Sequence, residues 1–81
     1  MRVQVQLFAA AKDRARTDLA EFELNESDTV GDIRTRLVSE FPELAPIAAH
    51  LLFAINEDYA TDSSPIVANA RIACFPPVSG G

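Results

Sequence analysis

Thr29-Val30-Gly31-Asp32-Ile33-Arg34-Thr35-Arg36-Leu37-Val38-Ser39-Glu40-Phe41-Pro42 is the stretch on which the fold turns. Thr29 and Asp32 stand at capping-box spacing, and Asp28 and Asp32 place negative charge beside the positive end of a helix, which predicts a start at Val30. Val30, Ile33, Leu37, Val38 and Phe41 then recur at helical spacing, Arg34, Arg36 and Glu40 fall elsewhere on the wheel, and Pro42 halts the pattern. A helix with one apolar side needs a surface to pack on, and the flanking sequence supplies strands.

Upstream, Arg2 to Ala9 alternates, with Val3, Val5 and Leu7 pointing one way and Gln4, Gln6 and Phe8 the other. Ala10 to Arg16 reads as a short helical turn or loop. Asp18 to Leu24 resumes alternation with Ala20, Phe22 and Leu24 on one side, so the two strands are expected to pair antiparallel. Downstream, Leu44 to Leu51 holds room for a second short helical turn around Pro46, and Leu52 to Ile55 is an apolar run of strand length. Asn56 to Asp58 supplies turn residues ahead of a brief strand over Tyr59 to Thr61. Asp62 to Asn69 is loop-like, and Arg71 to Phe75 is a last strand ended by Pro76 and Pro77, which lack ladder donors. The order implies an α+β fold, one mixed sheet packed on one main helix. A β-grasp arrangement fits it, as do other small α+β folds.

A chain of 81 residues has one core and no surplus for an elaborate active-site cavity. The expected division is a domain over residues 1–77 and a flexible tail over 78–81. Apolar residues make up 48% and charged ones 23%, in keeping with a soluble globular protein. No apolar run approaches a bilayer span, and no signal-peptide pattern follows Met1, so a cytoplasmic location is expected. Cys74 is the single cysteine, which fits a reducing compartment. A net charge of -5 disfavours nucleic acid and anionic membranes as partners and favours a protein with a basic docking surface.

The sequence ends Phe75-Pro76-Pro77-Val78-Ser79-Gly80-Gly81. Tandem prolines favour an extended segment that projects from the last strand, and only Val78 brings apolar surface to offset the ordering of the glycines. Two residues without side chains pass through a channel too narrow for any Cβ and expose a terminal carboxylate to an enzyme. The pair alone fits a frayed chain end equally well.

These closing residues resemble the C-terminal signature of the small subunit of molybdopterin synthase, a ubiquitin-like sulfur carrier. Val5-Gln6-Leu7-Phe8-Ala9-Ala10, Thr29-Val30-Gly31-Asp32-Ile33-Arg34 and Leu52-Phe53-Ala54-Ile55-Asn56 are similar to that family in order and spacing, so the resemblance spans most of the chain. It implies a β-grasp fold and a working group at the Gly81 carboxylate, with Gly80 leading to it. An E1-like adenylating partner using ATP and Mg would form an acyl-adenylate there, and sulfur from a donor protein would replace the adenylate to leave a thiocarboxylate. The tail would then enter the large catalytic subunit and deliver sulfur to cyclic pyranopterin monophosphate, in an assembly of two copies of each subunit. No cofactor would be bound by this chain itself. That division agrees with the residues: the tail has no Lys or Arg, and the chain shows no phosphate-binding glycine loop and no nucleophile beside a base.

Strand parity places Phe8 and Phe75 on the outward side, and with first and last strands adjacent, as the resemblance implies, they would form an apolar platform with Tyr59 at the root of the tail. Phe8, Tyr59, Phe75, Pro76, Pro77, Val78 and Ser79 are thus expected to bind partners. The alternative is that a loop covers them. Cys74 shares parity with Ile72 and reads as a buried small hydrophobe, His50 has no second ligand at metal spacing, and Glu21, Glu23, Glu26 and Asp28 read as a solvated strand edge. Competing functions are a protein modifier joined through Gly81 to lysines, a sulfur carrier for thiamine, cysteine or tRNA thiolation, and a purely non-covalent interaction domain.

Overall fold

A computed structural model of the chain describes residues 1–77. Its elements are β1 (Arg2–Leu7), α1 (Ala9–Ala15), β2 (Leu19–Glu23), α2 (Val30–Glu40), β3 (Leu52–Ile55), β4 (Asp58–Ala60) and β5 (Arg71–Phe75), with two single 3₁₀ turns, Pro42–Leu44 and Ala48–His50, between α2 and β3. The strands form one sheet in the order β2-β1-β5-β3-β4. β1 and β5 run parallel at its centre, and every other pairing is antiparallel. Parallel neighbours cannot be joined by a tight turn, so the chain between them must cross a face of the sheet, and α2 makes that crossing. A mixed sheet with its first and last strands side by side, folded over one helix, is the β-grasp architecture.

Alternation decides which sheet face is covered. Val3, Val5, Leu7, Ala20, Phe22, Phe53, Ile72 and Cys74 are buried and share one core with Val30, Ile33 and Leu37 of α2 and with Leu44, Leu51 and Ile66. The helix begins where its sequence predicts: the Asp32 carboxylate accepts from the Thr29 N–H at 2.7 Å and from the Thr29 hydroxyl at 3.2 Å. Gly31 follows because of a close approach. Its N–H donates to the Asp62 carbonyl at 2.9 Å, and a Cβ there would lie 3.2 Å from that same oxygen.

Two expectations shift by a residue or more. The β1–β2 connection is a true helix, α1, which starts at Ala9 and stops at Arg16, whose left-handed φ of 61° lets its N–H close on the Lys12 carbonyl. The short strand is Asp58–Ala60 and not Tyr59 to Thr61, because the turn needs only Asn56 and Glu57. Both have positive φ, 50° and 74°, the geometry of a two-residue hairpin turn, so Ile55 pairs directly with Asp58. Arg71 holds that turn. Its N–H donates to Asn56 Oδ1 at 2.9 Å, its carbonyl accepts from the Asn56 N–H at 2.8 Å, and its guanidinium meets Glu57 at 3.0 Å.

Arg34, read from the sequence as a polar-face residue, turns inward. One guanidinium nitrogen donates to the carbonyls of Ala48 and Leu51 at 2.6 and 2.7 Å, a second reaches the Asp62 carboxylate at 2.7 Å, and the charge lies 5.0 Å from the Phe53 ring centroid. The segment between α2 and β3 pairs part of its backbone in single turns, the Ala48 carbonyl accepting from the Leu51 N–H at 3.3 Å, and Arg34 adds a charged donor to that carbonyl and to the Leu51 carbonyl. We expect Arg34→Ala to lower the unfolding free energy by about 2–4 kcal/mol, since it removes two charged hydrogen bonds to partly buried carbonyls and uncovers the Phe53 ring, and Asp62→Asn to cost about 1 kcal/mol or less, since that carboxylate is exposed. Urea unfolding of both variants decides this; equal small losses would show that the carbonyl bonds are dispensable.

Candidate functional site

Opposite the core, no element among the described residues covers the other sheet face, and its two ends differ in chemistry. At one end Glu21, Gln4 and Arg71 stand in register across β2, β1 and β5. Glu21 accepts from Gln4 Nε2 at 3.0 Å and pairs with Arg2 at 3.5 Å, and this hydrogen bond, then the arginine charge, hold its carboxyl below the usual range. Glu23 meets the Met1 ammonium at 3.0 Å. Of the acidic group seen in the sequence, Glu21 and Glu23 are on the edge strand β2 and pair with local cations, while Glu26 and Asp28 follow it in the turn before α2, both on the exposed or half-exposed surface.

Toward the other end the rows become apolar. Leu19, Gln6, Ala73, Ala54 and Tyr59 face one another in sequence across all five strands, and Leu52 lies opposite Phe75 in the next row. The Phe8 N–H donates to the Cys74 carbonyl at 3.0 Å, which extends the parallel ladder one step past β1 and carries Phe8 alongside Phe75. Phe8, Leu52 and Tyr59 are 43%, 38% and 79% exposed, too much for any loop to be covering them. The Tyr59 and Phe75 rings stand 5.9 Å apart with a 58° tilt, within the contact range of aromatic pairs.

The platform expected from parity is thus present. Phe8, Phe75 and Tyr59 lie on one face, and the parallel β1–β5 pairing that joins them is the arrangement expected from the family resemblance. Leu52, Leu19, Ala54 and Ala73 belong to the same surface and were not among the expected partner-binding residues. Strand parity already puts Ala73 with Phe75 and Leu19 opposite Ala20, whereas Leu52 and Ala54 are assigned only by register, because they belong to an apolar run in which no alternation shows which side faces out. Pro76, half-buried, and Pro77, exposed, carry the chain off β5 at this apolar end. Val78, Ser79, Gly80 and Gly81 lie outside the described residues.

Cys74 sits on the covered side, between Leu7 and Phe53 in register and fully buried. Burial pushes its thiol up to about 12, against a smaller opposing pull from Arg34. Such a thiol supplies almost no thiolate near neutrality and has no path to a partner, which leaves the apolar platform and the tail beyond it as the surface where chemistry is to be sought.

A model of the ThiS family matches residues 5–81, nearly the whole sequence. The chain belongs to the ThiS family. A molybdopterin synthase sulfur carrier subunit from Arabidopsis thaliana is 30% identical to this ThiS-family chain over all of it and 84% of the plant protein. The protein of the same name from Chlamydomonas reinhardtii is 26% identical, with both chains covered completely. The crystal structure of SAMP1, small archaeal modifier protein 1, from Haloferax volcanii superposes with a TM-score of 0.86 at 27% identity, again over the full length of both chains. The resemblance drawn from the tail, the first strand and the helix start is borne out, as is the β-grasp fold it implied.

The position of Cys74 in this ThiS-family fold has two measurable consequences. At pH 8 a thiol with a pKa of about 12 is ionised to about one part in 10⁴, so alkylating reagents should leave Cys74 unlabelled in native buffer and modify it fully in urea. The unfolded chain ionises its thiol near 9.0 and the folded chain near 12, so this group leaves stability unchanged below 9.0 and lowers it as pH rises through that interval. Rapid native labelling would contradict the buried placement.

Proposed function

We propose that this chain is the sulfur carrier subunit of molybdopterin synthase, working in the cytoplasm through the carboxylate of Gly81. An E1-like partner activates that carboxylate with ATP and Mg as an acyl-adenylate, sulfur from a donor protein displaces AMP, and the resulting thiocarboxylate enters the large catalytic subunit, where it supplies sulfur to cyclic pyranopterin monophosphate. A carboxylate is a poor electrophile until one oxygen becomes a good leaving group, so activation precedes sulfur entry. The chain contributes reach and a docking surface, and ATP, acid-base groups and the pterin pocket belong to partners.

One observation carries this reading: the exposed apolar rows of the sheet lie at the end from which β5 departs toward the diglycine. A partner seated on Phe8, Leu52, Tyr59 and Phe75 holds the chain six positions from Gly81, close to the group it has to receive. The names of the plant and algal relatives support the pathway. Family membership and an alignment that reaches the end of the Chlamydomonas reinhardtii protein support Gly81 as the reacting terminus. A second reading, conjugation of Gly81 to lysines of target proteins, is favoured by the likeness to small archaeal modifier protein 1 and begins with the same adenylate.

Intact-mass analysis of protein from its native cells separates the two. A species heavier by the difference between a sulfur and an oxygen atom supports the carrier, and lysine-linked conjugates support the modifier. Adding one residue after Gly81 should leave the fold intact and abolish sulfur loading; normal loading would remove the proposed role of the terminus. Replacing Phe75 by Ala should raise the Kd for the large subunit at least about tenfold, the loss of roughly 1.4 kcal/mol of apolar contact, while Glu21→Gln at the polar end leaves it unchanged. Equal affinities for both variants, measured by calorimetry, would place the docking surface elsewhere.

A further inference from the structure

Of the seven Lys and Arg residues in the chain, only residue 12 is lysine. The distinction is chemical. A guanidinium stays protonated at any physiological pH and does not attack acyl groups, whereas a lysine amine that has lost its proton does. A chain whose carboxyl end is converted to an acyl-adenylate is exposed to every primary amine near it, its own included, and this surface offers one ε-amine. The α-amine is engaged: Met1 donates to the Leu24 carbonyl at 2.6 Å and pairs with Glu23 at 3.0 Å, with its side chain only 17% exposed.

Lys12 is exposed, and among the described residues no carboxylate pairs with it. It lies in the last turn of α1, one turn on from Phe8, whose carbonyl accepts its N–H at 3.4 Å, while Ala11 next to it is buried in the core. Helical side chains lean toward the helix N-terminus, so Lys12 stands over the Phe8 side of α1, at the margin of the apolar platform. While an activating partner occupies that platform, the margin of the same copy is shielded. The amine that meets the activated carboxyl belongs to a copy that is free.

We propose that Lys12 of a second copy of this chain is the acceptor for the activated Gly81 carboxyl when sulfur does not intercept it, giving polymers of a single Gly81–Lys12 linkage. The deprotonated Nζ attacks the Gly81 carbonyl carbon, the carbon–nitrogen bond forms, the bond to the adenylate oxygen breaks, and AMP and a proton leave. No oxidant or reductant is needed, and ATP supplies the activation. This rests on the adenylation of Gly81 proposed above.

The test is incubation of the full chain with the E1-like enzyme, ATP and Mg, without a sulfur donor, followed by intact-mass and tryptic analysis. Pyrophosphate exchange, measured in parallel, reports activation independently of conjugation. The expected result is a ladder of dimers and higher species, each giving a branched peptide in which residues 72–81 are joined to Lys12, and complete loss of the ladder in Lys12→Arg, which keeps charge and helix. Exchange without any conjugate, conjugates that persist in Lys12→Arg, or a monomer lighter by one water from internal closure would each overturn the proposal while leaving Gly81 adenylation standing. Absence of pyrophosphate exchange would overturn that adenylation, and the acceptor role of Lys12 with it.

Discussion

The parallel pairing of β1 with β5 is the constraint from which the rest of the molecule follows. It brings the two ends of the domain together at the centre of the sheet and obliges everything between them to leave and return across one face. α2 occupies that face and buries Val30, Ile33 and Leu37 against the inward residues of β1, β2, β3 and β5. It also sets Phe8 beside Phe75, residues 67 positions apart in the chain, at the point where the chain departs from the sheet. The site is therefore a product of topology before it is a product of any one side chain.

The two sheet faces divide the work. One carries the apolar set that holds the domain together, including Cys74, whose burial removes it from sulfur chemistry. The other carries an internally paired polar end and an unpaired apolar end, and the apolar end offers a partner several kcal/mol of burial without demanding that the fold rearrange. A carrier has to be gripped by successive partners and released by each. A shallow apolar surface, with polar Gln6 among its rows, suits repeated use better than a deep interlocking one.

The irregular segment between α2 and β3 shows how a small domain tolerates loop. Residues 42–50 close single turns on themselves, and Arg34 adds donors from the adjacent helix to the Ala48 and Leu51 carbonyls while its stem and charge cover Phe53. Arg36 behaves similarly two residues on, donating to the Glu23 carbonyl at 3.2 Å and lying 5.4 Å from the Phe22 ring. Cations in this chain are mostly structural, and they are arginines. Lys12 stands apart from them in both chemistry and placement.

Much of this was legible in order along the chain. Alternation identified the inward residues of β1 and β2, capping chemistry located the start of α2 to the residue, and the diglycine tail with its preceding prolines pointed to a carrier, because each of these signals is carried by neighbours in sequence. The inward turn of Arg34, the start of β4 at Asp58 and the membership of Leu52 in the exposed apolar surface were not legible, since each depends on a partner far along the chain: the Ala48 and Leu51 carbonyls, the Arg71 clamp on Asn56 and Glu57, and the register of β3 against β5. Local order by itself determined which elements exist and which face of each is apolar, because periodicity and capping are properties of adjacent residues. Only the tertiary structure decided which strands are neighbours, and with that which exposed rings form one surface, because strand order is settled by long-range burial that no short window of sequence contains.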